Sequence, residues 1–185
     1  MIARLMVLGI IASRPKAHGY HVYRELMAWR ADSWHTVQPG SIYHALSQLE
    51  KEDLIERLPD GNQDTAERSD TVQYAITDEG CREFRRLVRE SLTSYDHETF
   101  AAGLAFMRYI TREQALVSAR QRLETYQQIC ASMRHLVRSE DGEHPSQHPA
   151  IIDSWTTVFD ATLAWQQNFI ATIEAGEYTF ADAAL

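Results

Sequence analysis

The chain opens on a run of apolar residues. Ile2 to Ala12 is hydrophobic nearly all round, the pattern of a helix buried on every side. Pro15 ends it, because proline biases the residue before it away from helical backbone. From His18 to Arg30, Val22, Leu26 and Trp29 recur at i, i+4, i+7 and predict a second helix. Residues 31–38 read as a linker. Pro39-Gly40-Ser41 then opens a third helix, proline being tolerated in a first turn. Ile42, Ala45, Leu46 and Leu49 form its buried face. Gly40, Tyr43, His44, Ser47 and Gln48 form the opposite face, which has no carboxylate; Glu50, Glu52 and Asp53 come only at the end.

Two short extended runs follow, Leu54 to Leu58 and Thr71 to Ile76, around a polar tip from Asp60 to Asp70. Val72, Tyr74 and Ile76 alternate with polar or small residues, the period of a half-buried strand. Thr77-Asp78-Glu79 starts a fourth helix, with Thr77 as N-cap and two acids near the positive end of the helix. Its stripe runs through Phe84, Leu87, Val88, Leu92 and Tyr95. Three helices, a strand, a tip, a strand and a helix make the layout of a winged helix-turn-helix. In that geometry the third helix enters the major groove. An acidic outer face would be repelled by phosphate, whereas Ser, Tyr, His and Gln donate hydrogen bonds to phosphates and bases.

The second half is helical throughout. Phe100, Leu104, Met107 and Ile110 predict a short helix. Thr111-Arg112-Glu113-Gln114 fits a capping box. Leu116, Ala119, Leu123, Tyr126, Cys130, Met133 and Val137 follow at 3-4 spacing, a coiled-coil-like seam. Asp96-His97-Glu98 reads as a helix cap. A polar stretch, residues 139–149, connects to a last helix ending near Ala175. That helix carries Ile151, Ile152, Trp155, Val158, Phe159, Leu163, Trp165, Phe169, Ile170 and Ile173, more than one face. Such a helix needs two neighbours. One is the 116–137 seam, and the same region of a second subunit is expected to supply the other. The fold class is therefore mainly α with a small β-hairpin: a winged helix-turn-helix domain over residues 1–95 and a helical dimerisation domain over 96–185.

Charge refines this division. The chain of 185 residues has 18 basic and 26 acidic side chains, net −8, so any nucleic-acid contact comes from a local face rather than the whole surface. Residues 1–90 carry net −2 and residues 91–185 net −6. No N-terminal run is long enough to span a bilayer, Arg14-Pro15-Lys16 does not suit a signal peptide, and the two cysteines form no C-x-x-C pair. A reduced, cytoplasmic protein without a membrane partner is expected.

No catalytic constellation emerges. G-x-S-x-G and Walker-type loops are missing, His97-Glu98 fails H-E-x-x-H because residue 101 is Ala, and no nucleophile, acid and base converge. The chain is not expected to be an enzyme. His144 and His148, beside Glu140, Asp141 and Glu143, read as an acidic loop rather than a metal site. No metal or cofactor is expected. The Arg82, Arg85, Arg86 and Arg89 cluster reads as a solvated helix face.

Five segments carry a resemblance: Leu8-Gly9-Ile10-Ile11, His18-Gly19-Tyr20, Gln38-Pro39-Gly40-Ser41-Ile42-Tyr43, Leu46-Ser47-Gln48-Leu49-Glu50 and Tyr74-Ala75-Ile76-Thr77-Asp78-Glu79-Gly80. In this order they resemble the PadR family of bacterial transcriptional regulators, in its longer form with a helical C-terminal domain. The resemblance implies a homodimeric winged helix that binds double-stranded operator DNA, a repressor released by a small aromatic or phenolic effector. It implies that Ser41 and Tyr43 belong to the recognition helix, and His18 and Tyr20 to the start of the second helix. His44 stands where the family commonly has Pro, and the tip has only Arg68 among Asp60, Asp64, Glu67 and Asp70. Electrostatic anchoring therefore falls on Arg4, Arg14, Lys16, Arg24 and Arg57. The expected DNA-contacting residues are Arg14, Lys16, His18, Tyr20, Gln38, Gly40, Ser41, Tyr43, His44, Ser47, Arg57 and Arg68. The density of rings at Phe106, Tyr109, Tyr126, Trp155, Phe159 and Trp165 suits an aromatic effector, with a packed dimer core as the alternative. The competing function is an adaptor that turns the winged helix against another protein.

Overall fold

The computed structural model describes residues 2–14, 16–28, 39–58, 72–138 and 149–181. The expected wing tip with Arg68, the linker with Gln38, Trp29, and the His144/His148 stretch lie outside the described residues. The chain divides into two compact units, Met1–Ser91 with Asp96–Phe106, and Leu92–Tyr95 with Met107–Leu185.

The first unit is built around α1, Ile2–Ser13. Leu5, Met6, Val7, Leu8, Ile10 and Ile11 are all buried. Their surroundings explain why this helix is apolar all round. It packs on α2 (Gly19–Ala28), α3 (Pro39–Lys51), β3 (Gln73–Ile76) and α5 (His97–Ala105). The predicted inner face of α3 is buried as expected, with Ile42, Ala45, Leu46 and Leu49 all inside.

α3 ends because Asp53 takes a left-handed backbone, φ 57°, which lets Leu54 N–H return to the Leu49 carbonyl at 2.9 Å. The Asp53 carbonyl accepts a hydrogen bond from the Thr77 hydroxyl at 2.8 Å. The same hydroxyl oxygen accepts from Gly80 N–H at 3.0 Å, which makes Thr77 the N-cap of α4, Asp78–Thr93. One threonine thus ties the end of α3 to the start of α4.

The sheet has one strand more than a hairpin. β1, Ala17–His18, joins β3 and β2 (Ile55–Leu58) in the antiparallel order β1-β3-β2. His18 was expected to be helical; instead α2 begins at Gly19. Lys16, left-handed at φ 65°, turns the chain out of α1 so that Ala17 pairs with Tyr74 and His18 with Gln73. An edge of β3 that would otherwise be unpaired is satisfied there. On the other side Arg57 pairs with Tyr74 and Leu58 with Gln73.

α5 is capped by Asp96, whose carboxylate accepts from Thr99 N–H at 2.8 Å. At its other end the Phe106 ring meets Phe84 edge-on, centroids 5.4 Å apart.

In the second unit a 3-10 turn, Met107–Tyr109, leads into α6, Arg112–Arg138, which packs against α7, Pro149–Ala175. The capping box forms in both directions: Gln114 N–H donates to Thr111 Oγ1 at 3.2 Å, and Thr111 N–H to Gln114 Oε1 at 3.1 Å. The α6 seam is rotated relative to expectation. Ala119, Tyr126 and Cys130 are buried, but Leu116, Leu123 and Met133 are only partly so, and Ala115, Ser118 and Arg122 take the inner positions.

Arg122 is 1% exposed. Its guanidinium donates to the Ser94 carbonyl (2.9 Å), Gln166 Oε1 (2.6 Å) and the Tyr126 hydroxyl (3.3 Å). Gln166 Nε2 donates in turn to the Ala119 carbonyl at 2.9 Å, and Tyr126 to the Tyr95 carbonyl at 3.3 Å. Burial lowers the Arg122 pKa from its ordinary value. These bonds compensate the desolvation of a charge inside a helical layer. Gly176, at φ 78°, closes α7. The chain then returns, burying Phe180 and donating from Ala181 N–H to the Ile110 carbonyl at 3.1 Å.

Candidate nucleic-acid interface

The candidate interface is the first turn of α3 and its outward stripe. Gly40, Tyr43, His44 and Ser47 are exposed, and Ser41 and Gln48 are partly covered. No carboxylate stands among them until Glu50. Among the described residues nothing lies within 4 Å of where a Cβ on Gly40 would stand, which leaves the backbone at the start of this helix open to a phosphate from that side.

The sheet brings further groups to the same unit. Arg57, on β2, is held by Glu50 of α3 through both carboxylate oxygens, Nε to Oε1 at 2.6 Å and Nη2 to Oε2 at 3.0 Å. It neighbours Tyr74, whose phenol is pushed above its ordinary pKa by burial, with Arg57 opposing the shift and Tyr43 adding to it. Tyr43, Tyr74 and Arg57 therefore cluster across α3, β3 and β2. The register places His18 beside Gln73, with His18 Nε2 and Gln73 Nε2 3.3 Å apart. His18 also packs edge-on against His21, centroids 5.0 Å apart. Tyr20 is exposed, with the Arg24 guanidinium 5.9 Å from its ring centre. Lys16 is exposed as well.

Arg14 ends α1 and meets Glu25 of α2, Nε to Oε2, at 2.9 Å. Arg14, His21, Arg24, Glu25 and Ala28 line a groove of about 420 Å³. Gln73, His21, Glu25 and the pairing role of Glu50 had no signal in the linear pattern. Their placement depends on strand register and on helix ends that meet only in the fold.

Arg4, counted among the anchoring cations, is instead engaged within the protein. It donates to Glu52 at 2.9 Å and lies 3.4 Å from Glu83, bracing α1 against the end of α3 and against α4. Both carboxyls are held below their ordinary pKa, Glu52 chiefly by its bond to Arg4 and Glu83 chiefly by its bond to Arg86. Arg82 pairs with Glu79, and Arg86 with Glu83 and Glu90, an exposed network of i, i+3 and i, i+4 pairs.

The rings expected to hold an effector are dispersed. Phe106 is buried in the core of the first unit. Tyr109 lies beneath the Arg108 guanidinium, 4.9 Å from ring centre to carbon. Tyr126 and Phe159 come together, centroids 6.0 Å apart, and Tyr95 joins them at 5.4 and 6.3 Å. Trp165 stacks on Phe169 at 5.0 Å, and Trp155 is half exposed. Among the described residues no group of three or more His, Cys, Asp or Glu side chains is placed to hold a metal, and no helix is long and apolar enough to cross a membrane.

Three helices with an acid-free face on the third, backed by a small antiparallel sheet, make the architecture of a winged helix. Residues 7–86 match the model of the transcriptional regulator PadR-like family. In structure the chain is similar to the PadR-like transcriptional regulator BC1756 from Bacillus cereus, with 19% identity, TM-score 0.39, and 94% of this chain and 99% of that one covered. It is also similar to Bacillus subtilis PadR in complex with p-coumaric acid, with 14% identity and TM-score 0.38. The same protein in complex with operator DNA gives 15% identity and TM-score 0.37. In both cases 94% of this chain and 99% of the other are covered. No curated protein matches the chain.

Proposed function

We propose that this PadR-like regulator represses transcription by binding operator DNA as a homodimer and leaves it when an aromatic effector binds. The observation that carries the DNA reading is the exposed stripe of α3. It combines Tyr43, His44 and Ser47 with an open backbone at Gly40 and lacks a carboxylate before Glu50. Such a face suits base edges in a major groove. Anisotropy of labelled promoter DNA, read at about 50 and 200 mM salt, tests it. The regulator binds one promoter tightly and loses affinity as salt rises. Equal, negligible binding to every duplex would leave the adaptor reading.

Dimerisation is supported by the spacing along α7. Ile152, Phe159, Leu163, Gln166, Ile170 and Ile173 are at least partly covered, and Gln166 bonds to α6. Ile151, Trp155, Val158 and Trp165, at 4-3-7 spacing, are 45–59% exposed. Two adjacent heptad seams on one helix suit two neighbours. The intact protein should sediment as a dimer at micromolar concentration, and Val158→Glu should shift it toward monomer. For the effector, the Tyr95, Tyr126 and Phe159 cluster offers ring faces to a planar phenolic acid. Titrating such acids while following tryptophan emission and DNA affinity together tests release, which requires the ligand to prefer the DNA-incompetent state.

A further inference from the structure

Two of the cations expected to meet DNA phosphate are already paired within the protein. Arg57 already holds Glu50 with the two-pronged geometry that a guanidinium uses on a phosphodiester. Arg14 already holds Glu25. Both arginines remain accessible, 57% and 58% exposed. Glu25 and Glu50 are more covered, 18% and 31%, and each sits on a helix of the helix-turn-helix itself. The carboxylates are therefore the fixed members of each pair and the guanidinia the movable ones.

Resting on the DNA-binding reading, we propose that Glu25 and Glu50 are built-in competitors for DNA phosphate, so that binding proceeds by exchange of a carboxylate for a phosphodiester at Arg14 and Arg57. Exposed ion pairs of this kind contribute little net stability, so the exchange costs little. It still sets a ceiling on affinity, because each released carboxylate stays close to the incoming phosphate. A paired arginine also displaces fewer counterions when it meets DNA, which flattens the salt dependence. The groove lined by Arg14, His21, Arg24 and Glu25 has two guanidinia against one carboxylate. Removing the Glu25 charge would make it strongly attractive to a backbone phosphate.

The test is anisotropy with the full-length protein and a random-sequence duplex of about 30 base pairs, roughly three turns, across a salt series. Glu50→Gln and Glu25→Gln should each tighten binding about threefold at low salt. Each should steepen the slope of log K against log salt by up to about 0.9. In an Arg57→Ala background the Glu50→Gln gain should vanish, and likewise Glu25→Gln in Arg14→Ala. Glu174→Gln, which releases the exposed Arg120 of the second unit, removes the same unit of charge and should change nothing. Should wild type bind while both variants, folded by circular dichroism, bind no tighter, this inference fails and the DNA reading stands. It fails equally if Glu174→Gln tightens binding as much, since net charge would then explain everything. If wild type binds no duplex even at low salt, the DNA reading falls first and this inference falls with it.

Discussion

The ring of Phe106 lies directly against Gly9, in the space that a Cβ on residue 9 would occupy. Glycine inside a helix costs about 1 kcal/mol relative to alanine. In α1 that cost is offset by close passage of an aromatic ring that also meets Phe84. Gly9→Ala should therefore destabilise the protein, by about 1–3 kcal/mol from overpacking, although it improves helix propensity. Urea denaturation measures this, and Phe106→Leu in the same chain should recover part of the loss.

Tyr43 is expected to touch DNA from the exposed stripe of α3. Tyr43→Ala should weaken binding to a selected operator by about 1–3 kcal/mol with the melting temperature little changed, because the side chain is largely outside the core. Lys16→Ala should instead weaken all duplexes alike and lower the salt slope by about one unit. Competition between a selected and a random duplex separates the two. Unchanged operator affinity in a folded Tyr43→Ala protein would remove this residue from the interface.

Arg122→Met should cost about 2–4 kcal/mol, because the Gln166 oxygen and the Ser94 carbonyl lose a buried donor. Arg122→Lys should recover little, since an ammonium does not match three partners arranged around a planar fork. The double variant Arg122→Met/Gln166→Leu should be closer to wild type than the single changes add up to. Thermal denaturation at constant protein concentration gives the comparison.

Glu83, held by Arg86 and Arg4, has a carboxyl pKa lowered from 4.5. A depressed folded-state pKa contributes stability that is fully present above the unfolded value and is lost as pH falls through the folded one. Glu83→Gln should therefore lower the melting temperature at pH 7. The difference from wild type should shrink below about pH 4.5 as the carboxylate takes up its proton. A difference that stays constant from pH 7 down to acid unfolding would mean the pair contributes through packing alone.

The features legible in the linear sequence are those whose partners lie within one turn. Thr77, Asp96 and the Thr111–Gln114 box are recognisable because a cap bonds three residues away. The inner face of α3 is legible because helical periodicity fixes it. β1 is not, because two residues carry no period and its existence depends on an edge of β3 more than fifty positions later. Arg122 was hidden for another reason: a charged residue inside an apolar pattern reads as surface, and its acceptors come from residues 94 and 166. The ion pairs of Arg14 and Arg57 were hidden likewise, since the carboxylates that hold them lie on other elements. For the proposed effector rings, ring density alone did not separate Phe106, which fills a core, from Tyr126 and Phe159, which meet.

The Arg122 network also bears on how such a chain can diverge. Substituting Arg122 alone takes a donor from acceptors at residues 94, 126 and 166, and substituting Gln166 alone takes one acceptor from the guanidinium and one donor from the Ala119 carbonyl. Each single step weakens a shared set of buried hydrogen bonds. An apolar replacement of similar volume becomes accessible only when several positions change together. Drift in this helical unit is therefore expected to run freely along the outer positions of α6 and α7 while treating residues 122, 126 and 166 as one inherited block.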